Sequence, residues 1–438
     1  MESIWTQTVQ LPAFEPLRGD LKTGVLVIGG GMAGLLCAYR LTEAGADCAL
    51  VEADRLCGGV TAGTTAKITS QHGLVYHKLL REFGPEKARL YLEANQAALE
   101  EYRRLCRDID CGFQERDSAV FSLHDRRKIQ QELEALACLG FTEFYPAKTP
   151  FPSAGAVGFR RQAQFHPLKF AAALAGKLRI FEHTKVLELA PGTAVTNGGT
   201  ISAENIVVAT HFPLLNKHGG YFLKLYQHRS YVLALENAPL PEAMYVDESG
   251  TGLSFRTWGD LLLLGGGGHR TGKRGGGWRD LEAIAQERFP QARERARWAA
   301  QDCMTLDGAP YAGQYSGSTP HLYVTAGFNK WGMTSSMAAA ALLTDLLQGR
   351  ANPYAELLSP SRTMLRPQLA RNGLSSALGL LTPTTPRCPH MGCALKYNAQ
   401  EHSWDCPCHG SRFDEDGAVL DNPATDGKPL RPAHRKRR

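Results

Sequence analysis

Four cysteine and histidine residues near the C-terminus form two short pairs that could bind a metal. Cys388 and His390 are separated by one residue, and Cys406 and His409 are separated by two. Thiolate sulfur and neutral imidazole nitrogen together bind tetrahedral zinc, and they also bind iron in certain [2Fe–2S] clusters. These two loops therefore predict either an electron-carrying iron–sulfur centre or a structural zinc site.

The segments around the two pairs read CPHMGC at 388–393 and CPCHGS at 406–411. They resemble the cluster loops of Rieske proteins, in which two histidines replace two cysteines on one iron. The resemblance favours a [2Fe–2S] cluster over zinc and implies a disulfide between Cys393 and Cys408 that bridges the loops. The ligands that it implies are Cys388, His390, Cys406 and His409.

The same resemblance gives expectations for the surroundings of the cluster. Ser411 is expected to donate a hydrogen bond to a cluster sulfur. Phe413 stands where high-potential members have a tyrosine, so an intermediate potential is expected. DNPA at 421–424 resembles the proline loop that covers the cluster, with Asn422 at a usual glycine. Residues 353–387 show little strand-like alternation, so an abbreviated base that packs on the larger domain is predicted.

A second redox site is predicted near the N-terminus. The apolar run VLVI at 25–28 is followed by Gly29, Gly31 and Gly34, by a helical pattern, and by a second strand that ends at Glu52. This is the βαβ dinucleotide fingerprint with its acidic residue about 20 positions further on. The glycines let the backbone approach a pyrophosphate at the helix N-terminus, and Glu52 would bind the adenosine ribose.

Three further loops favour FAD over NAD as the dinucleotide. They are GGVTAGTTAKITSQHG at 58–73, VVATHFP at 207–213 and TAGFNKWGMT at 325–334. With the fingerprint, they resemble the D-amino acid oxidase and glycine oxidase superfamily, and within it a bacterial group fused to a C-terminal Rieske domain. The additional FAD contacts that the resemblance implies are Thr64, Thr65, Ala66, Ala209, Thr210, Gly327, Lys330 and Gly332.

The order of elements predicts an α/β fold in which a Rossmann-like FAD-binding domain is interwoven with an antiparallel-sheet substrate domain. A small, abbreviated β Rieske module follows. A helix is predicted from Asp280 to Trp298. The predicted parts are the FAD-binding domain at 1–110, 156–215 and 299–352, the substrate domain at 111–155 and 216–298, a linker at 353–387, the Rieske module at 388–430 and a basic tail at 431–438.

Substrates in the resembling superfamily are usually amines or amino acids, which predicts a cationic anchor beside the flavin. The candidate catalytic residues are Lys330, His72 and Arg229, and Cys303 is predicted to be a buried free thiol. Two redox centres favour a dehydrogenase-like enzyme whose cluster relays electrons between the flavin and an external protein or quinone. The alternatives are a non-catalytic redox carrier or sensor, and a flavoenzyme whose module holds zinc or no metal.

Composition limits the remaining possibilities. The chain has 438 residues and 43% hydrophobic content, enough for one large two-part domain and a small module. Its apolar runs are shorter than the about 20 residues of a membrane span, and the N-terminal segment lacks a signal pattern, so a cytoplasmic protein is expected. The net charge of +6 lies partly in the tail, and without interleaved aromatic residues no nucleic-acid partner is expected.

Overall fold

A computed structural model describes residues 2–215, 218–250, 252–384 and 386–427. Its strands are β1 Leu21–Ile28, β2 Cys48–Val51, β3 Lys67–Ile68, β4 Gln114–Ser122, β5 Phe144–Ala147, β6 Gly155–Gln164, β7 Arg179–Phe181, β8 Val186–Ala190, β9 Thr193–Thr196, β10 Thr200–Val208, β11 Leu225–Glu236, β12 Met244–Asp247, β13 Ser254–Trp258, β14 Leu261–Arg270, β15 Arg293–Thr305, β16 Tyr311–Gln314, β17 Leu322–Ala326, β18 Lys396–Asn398, β19 Ser403–Asp405, β20 Arg412–Phe413 and β21 Val419–Asp421. Its helices are α1 Ile4–Thr8, α2 Met32–Glu43, α3 Val60–Gly63, α4 Tyr76–Leu105, α5 Arg126–Cys138, α6 Pro167–Ala175, α7 Tyr221–Lys224, α8 Trp278–Arg288, α9 Gly332–Leu347, α10 Ala355–Leu358 and α11 Pro367–Leu381.

The first sheet has the strand order β16-β17-β10-β1-β2-β7, and the β8–β9 hairpin extends it from β10. Strand β1 pairs in parallel with both β2 and β10, and residues 25–28 of β1 are buried. A strand covered on both faces needs a continuous apolar run, which explains why VLVI does not alternate. Helix α2 crosses from β1 to β2 and packs against α9, so its N-terminus faces the carboxyl edge of the sheet.

The second sheet has the order β15-β11-β14-β13-β12-β4-β6-β3, with β5 paired to β6. Strands β11, β14 and β15 form its long antiparallel end, where β11 pairs with β14 on one side and β15 on the other. The glycine run of LLLLGGGG lies in β14, and Gly265 and Gly266 are buried beside the first sheet's loops. Glycines there leave room above the strand because they carry no side chain.

The predicted helix from Asp280 to Trp298 is wrong in its second half. Helix α8 ends at Arg288, and β15 begins at Arg293. Pro290 disfavours helical backbone at the preceding residue, Phe289, which ends the helix. Beyond it Ala296 and Trp298 are buried with period two, as a strand requires.

The C-terminal module contains a four-stranded sheet in the order β18-β19-β20-β21. The segment predicted as a linker contains two helices, and the second, α11, begins with Pro367 at its first turn. Gly379 of α11 faces the cluster loops so closely that a Cβ there would lie 2.5 Å from Cys408 Sγ. The module therefore packs on helix α11. This helix lies in the segment where the sequence showed little strand-like alternation.

The predicted fold class is confirmed: a Rossmann-like sheet, an interwoven antiparallel sheet and a small β module make up the described chain. Among the helices in the described ranges, none has the length and apolar character that a membrane span requires. The predicted basic tail at 431–438 and the last residues of the predicted module, 428–430, lie outside the described residues. The domain boundaries remain predictions.

Candidate flavin cavity and metal centre

One cavity of about 960 Å³ runs between the two large sheets. It begins at the glycine loop after β1 and extends to Lys330 and the glycines of β14. The predicted FAD contacts that line it are Gly29, Gly31, Glu52, Thr64, Thr65, Ala209, Thr210, Lys330 and Gly332. The cavity thus joins the three loops that the sequence analysis assigned to one cofactor.

The glycine loop has the shape that a bound pyrophosphate needs. Gly29 has a φ of +108°, and a Cβ on Gly34 would lie 1.9 Å from the Gly29 carbonyl oxygen. Gly31 caps α2, whose first amide, at Met32, donates to Thr61 Oγ1 over 3.0 Å. Because these positions are glycines, no side chain fills the space above the loop. The loop and the helix N-terminus therefore fit the dinucleotide phosphates of FAD.

Glu52 lies at the end of β2, as the fingerprint predicts. Its carboxylate accepts hydrogen bonds from the Gly30 amide over 2.6 Å and from the Asp54 amide over 2.9 Å. These bonds fix the carboxylate at the cavity wall next to the glycine loop. Glu52 would therefore present oxygen acceptors to the ribose hydroxyls of the cofactor.

Three predicted FAD contacts do not line the cavity: Gly34, Ala66 and Gly327. Gly34 packs on Gly29, and Ala66 is fully buried with a φ of +52°. A Cβ on Gly327 would lie 2.4 Å from the Thr305 methyl group. These residues pack against the protein side of the loops and not against the cavity. The geometry therefore does not support their predicted role as direct FAD contacts.

His72 lines the cavity, but both of its ring nitrogens are already hydrogen-bonded within the protein. Nδ1 is 2.7 Å from the Tyr91 hydroxyl, and Nε2 is 2.9 Å from the Thr69 carbonyl oxygen. The ring stacks on Trp331 with centroids 5.2 Å apart. Burial lowers the pKa of His72 to about 3. A neutral ring with both nitrogens engaged positions the loop, so the predicted catalytic role for His72 is not supported.

Arg229 requires a correction because it does not line the cavity. Its guanidinium forms a bidentate ion pair with Glu401 of the C-terminal module, and both side chains are buried. A guanidinium that already binds a carboxylate of the protein through two N–H groups cannot bind a substrate carboxylate in the same bidentate way. Arg229 therefore holds the module in place, and the prediction that it anchors a substrate is wrong.

Two lysines reach the cavity from opposite loops. Lys330, predicted from the sequence, has a φ of +74° and lines the cavity. Burial lowers its pKa, and Asp302 opposes that effect. Lys67, which the sequence pattern did not single out as a site residue, also lines the cavity. Burial and the neighbouring Arg256 lower the pKa of Lys67 to about 7.

Cys303 lines the cavity as a free thiol that is 3% exposed, and burial raises its pKa well above the usual thiol value. A thiol held neutral in this way is a poor nucleophile. Cys303 therefore fits the predicted buried thiol.

The four predicted cluster ligands come together at the two loops of the module. The sulfur atoms of Cys388 and Cys406 are in hydrogen-bonding contact, which raises the pKa of the Cys388 thiol. The rings of His390 and His409 lie 5.1 Å apart, centroid to centroid. Two sulfurs on one side and two imidazoles beside them match the donor set of a cluster with two cysteines and two histidines.

The state of His409 fits a metal ligand. Its Nδ1 is buried and has no hydrogen-bond partner in the described part of the chain, while its ring hydrogen-bonds the main chain of Phe222. A buried nitrogen of this kind costs free energy unless a metal satisfies it. Burial lowers the pKa of His409 to about 3 and that of His390 to about 4, so both rings are neutral, as metal binding requires.

All eleven cysteines are free thiols in the structure. The sulfur atoms of Cys393, Cys406 and Cys408 lie within 4.8 Å of one another. This three-thiol group would leave the buried His409 nitrogen without a role, so we keep the two Cys–His pairs as the ligand set. The disulfide between Cys393 and Cys408 stays a prediction. Ser411 hydrogen-bonds the Cys388 thiol, and its expected hydrogen bond to a cluster sulfur stays a prediction.

The proline loop of the module forms part of the cavity wall. Val419, Asn422 and Ala424 of the module line the cavity next to Thr210 and His211. The Asn422 side chain donates to the Thr210 carbonyl oxygen, which fixes the proline loop against the end of β10. No signal in the sequence indicated this contact, because it joins segments 212 residues apart.

Gln227 contacts His211 of the cavity wall, the proline loop and the second cluster loop. His211 Nε2 lies 3.0 Å from Gln227 Oε1, and Gln227 Nε2 donates to the Asn422 carbonyl oxygen over 2.7 Å. A Cβ on Gly410, next to His409, would lie 2.5 Å from Gln227 Cβ. Gln227 therefore positions the second cluster loop and the proline loop against the cavity.

Comparison with known proteins agrees with this geometry. A family model described as FAD dependent oxidoreductase matches residues 24–346, and one described as Rieske [2Fe-2S] domain matches residues 378–431. The chain is 33% identical to the putative Rieske 2Fe-2S iron-sulfur protein YhfW of Bacillus subtilis, over 98% of this chain and 97% of that protein.

Solved structures show the same fold for the larger part. L-proline dehydrogenase from P. horikoshii superposes with a TM-score of 0.66 at 16% identity, covering 78% of this chain and 98% of that one. Glycine oxidase from Geobacillus kaustophilus gives a TM-score of 0.64 at 20% identity, covering 78% of this chain and all of the other. The predicted cofactors, FAD and a [2Fe–2S] cluster, are thereby confirmed, and the chain belongs to the DAO family of FAD-dependent oxidoreductases with a C-terminal Rieske domain.

Proposed function

We propose that this enzyme dehydrogenates an amine- or amino-acid-like small molecule and that its Rieske cluster relays electrons between the flavin cavity and an external protein or quinone. FAD, when bound, accepts two electrons from a substrate C–H bond, and the cluster carries one electron at a time. Oxidation of an amine to an imine releases two electrons and two protons. An external acceptor must therefore take two single electrons in each turnover.

The place of the module against the cavity wall is the observation that carries this proposal. The rings of both predicted histidine ligands contact the larger part of the chain: His390 lies 6.3 Å from Phe212 and His409 lies 6.2 Å from Phe222, between ring centroids. Phe212 follows β10 directly after the cavity residues Thr210 and His211. The metal-binding side of the module thus faces the larger part of the chain, close to the segment that lines the cavity, as a relay to the flavin requires.

The substrate class rests on the activities of proteins with similar folds and on the charged residues that line the cavity. L-proline dehydrogenase and glycine oxidase both act on amino acids. The part of the cavity over the second sheet is lined by Lys67 and Lys330, whose side chains can meet a carboxylate. Asp247 and Glu248 also line this part of the cavity, and their carboxylates can meet an amine. An amino acid or a carboxylated amine therefore fits this cavity better than an uncharged alcohol.

The test is anaerobic mixing of the holoenzyme with a panel of amines and amino acids, followed by an artificial one-electron acceptor. At least one compound is expected to bleach the flavin absorbance and to drive acceptor reduction. In a Cys406→Ser variant, the same compound should still bleach the flavin, but acceptor reduction should slow. Acceptor reduction at an unchanged rate in that variant would contradict the relay.

The non-catalytic alternative makes the opposite prediction for the same panel. A redox carrier or sensor would show no bleaching of the flavin by any amine, although dithionite would reduce both centres. The cavity continues from the dinucleotide loop to two lysines over a floor of glycines. A carrier without a substrate has no use for that additional space, so we favour the enzyme.

A further inference from the structure

Helix α11 exposes its leucines and buries polar and small residues. Leu374 is 62% exposed, Leu378 is 55% exposed and Leu381 is 80% exposed. The residues that the helix buries are Asn372, Ser375 and Gly379. A surface helix of a soluble protein normally buries its apolar face and turns its polar face to water. Because α11 does the opposite, its leucine face lacks a covering surface in the described part of the chain.

Hydrogen bonds fix the orientation of α11. The Asn372 side chain accepts from Arg270 Nη1 over 3.0 Å and donates to the Leu223 carbonyl oxygen over 3.3 Å. Ser375 Oγ donates to the Pro407 carbonyl oxygen over 3.4 Å. Rotation of the helix to bury its leucines would break these bonds and leave buried polar groups unpaired. The outward direction of the leucines is therefore a property of the packed module.

The exposed leucines form one stripe that reaches the first cluster loop. Residues 374, 378 and 381 are spaced by four and three, which places their side chains on one face of a helix. The stripe is about 10 Å long at the rise of an α-helix. A Cβ on Gly392 would lie 3.9 Å from Leu380 Cδ2, so the end of the helix contacts the loop that carries the exposed Met391. Six of the eleven exposed large hydrophobic side chains in the described ranges lie between 365 and 391, and a patch of this kind marks a binding surface.

The segment around the stripe carries an excess of positive charge. From residue 357 to residue 400 the sequence has no Asp or Glu, and its cations are Arg362, Arg366, Arg371, Arg387 and Lys396. Ion pairs with Asp307 and Glu82 engage the first two of these. Arg371 is exposed on α11, and Arg387 donates to the main-chain carbonyls of Leu380, Thr382 and Gly392. Neutral carbonyls do not cancel its charge, so the stripe lies beside two arginines.

The acidic groups that follow in the module have partners of their own. Glu401 and Asp405 both bind Arg412, and Glu415 accepts a hydrogen bond from Tyr397. These carboxylates therefore do not balance the charge beside α11. A second copy of the chain, packed through the same face, would bring two cationic segments together. An anionic partner fits the face better.

An anionic lipid surface combines the two properties that this face needs. Leucines on one face with basic residues beside them are typical of helices that lie in the plane of the lipid headgroups. Anionic lipids attract Lys and Arg near the bilayer surface. The last eleven residues of the sequence, 428–438, add six Lys and Arg and no acidic residue. Apolar burial and charge attraction would act together, as stable peripheral binding requires.

We propose that the leucine face of α11, defined by Leu374, Leu378 and Leu381, binds an anionic membrane surface with Arg371 at the headgroups. The binding is peripheral, because a helix of 15 residues is shorter than a membrane span. It brings the first cluster loop, through Met391, to the lipid. Among external acceptors, this placement favours a quinone in the bilayer; the choice of acceptor rests on the proposed function, whereas membrane binding does not.

The test is sedimentation of the holoenzyme with vesicles of phosphatidylcholine alone or mixed with an equal part of phosphatidylglycerol. Wild type should bind the mixed vesicles saturably and the neutral vesicles more weakly. Leu374→Gln and Leu378→Gln should each weaken binding about tenfold or more, because each removes an apolar side chain from the lipid. Arg371→Gln should weaken binding to the mixed vesicles, as should added salt. FAD and iron contents should stay at the wild-type level, since these side chains are exposed.

Leu240→Gln is the matched control, because it replaces an exposed leucine outside α11 and should leave vesicle binding unchanged. Wild type that does not bind the mixed vesicles would overturn the proposal. So would leucine variants that bind as wild type does, since charge alone would then explain the binding. A wild-type dimer that Leu374→Gln converts to a monomer would assign the face to a second copy instead. Vesicle binding needs no turnover, so a failed amine screen with intact vesicle binding would count against the proposed function alone.

Discussion

Arg229 and Glu401 join the two parts of the chain through a buried, bidentate ion pair. Arg229 Nε donates to Glu401 Oε1 over 3.1 Å, and a second guanidinium nitrogen donates to the other carboxylate oxygen. The pair belongs to a network: Arg412 also binds Glu401, and it binds Asp421 beside the proline loop. The cluster module is thereby fixed on β11, one residue from the cavity-lining His228.

Removal of the Glu401 charge is expected to loosen the module. Glu401→Gln removes the close counter-ion of Arg229, which keeps only a 3.7 Å contact with Asp421, and one of the three carboxylates that bind Arg412. Breaking a buried pair costs about 3–5 kcal/mol. The expected result is a lower midpoint for the thermal loss of the cluster absorbance. Glu356→Gln, which removes an exposed surface pair, should change that midpoint little. Equal effects of the two substitutions would contradict the account of the interface.

The contribution of Glu401 should depend on pH with a defined sign. Burial would raise the pKa of Glu401, but Arg229 and Arg412 hold it below its usual value. A carboxyl group whose folded-state pKa is lowered stabilises the protein above its unfolded pKa of about 4.3, and the stabilisation is lost as pH falls through the folded value. The midpoint difference between wild type and Glu401→Gln should therefore be full at pH 7 and shrink below pH of about 4. A constant difference across this range would count against a charged Glu401.

Gly34→Ala is expected to abolish FAD binding. The added Cβ would lie 1.9 Å from the Gly29 carbonyl oxygen, so the glycine loop must shift away from the cofactor phosphates. Overpacking of this kind costs about 1–3 kcal/mol, and here it falls on the dinucleotide site. The measurement is the FAD content per chain after purification. Gly176→Ala is the control, since a Cβ there meets nothing within 4 Å; FAD contents that stay equal would contradict the assignment.

Cys406→Ser is expected to remove the iron–sulfur cluster and to leave FAD in place. Cys406 is buried in the second cluster loop, and the cavity is not lined by it. Iron per flavin and the EPR signal after dithionite are the measurements, and both should fall to background. Cys106→Ser, outside the module, should keep both. Zinc in the wild-type protein instead of iron would contradict the assignment of an iron–sulfur cluster to these ligands.

The Gln227→Leu substitution tests whether the position of the module against the cavity affects the rate of electron transfer between flavin and cluster. The substitution removes the hydrogen bonds to His211 and Asn422 and leaves buried groups unpaired, at a cost of about 1–3 kcal/mol. Flavin reduction by dithionite and the iron content should stay near wild type, while electron transfer between flavin and cluster should slow. Gln227→Glu keeps an acceptor for His211 and should restore part of the rate. An unchanged transfer rate in Gln227→Leu would show that Gln227 has no positioning role.

Local patterns carried most of what could be predicted. The glycine loop and Glu52 follow from a strand–turn–helix–strand segment of some 30 residues, and the cluster loops follow from spacings of one and two residues. Arg229 was assigned wrongly because its partner lies 172 residues further along the chain. Lys67 was missed for the same reason: its burial and its contact with Ser254, 187 residues away, depend on how the second sheet packs on the loop.

The central claim is that cluster and flavin exchange electrons within one chain. The most direct test is a light flash that reduces the flavin of the anaerobic, oxidised holoenzyme, with flavin and cluster absorbance followed over time. The account predicts that the flavin becomes reoxidised as the cluster becomes reduced, at a rate that does not change with protein concentration. A rate that rises in proportion to protein concentration, or a cluster that stays oxidised beside a reduced flavin, would contradict it.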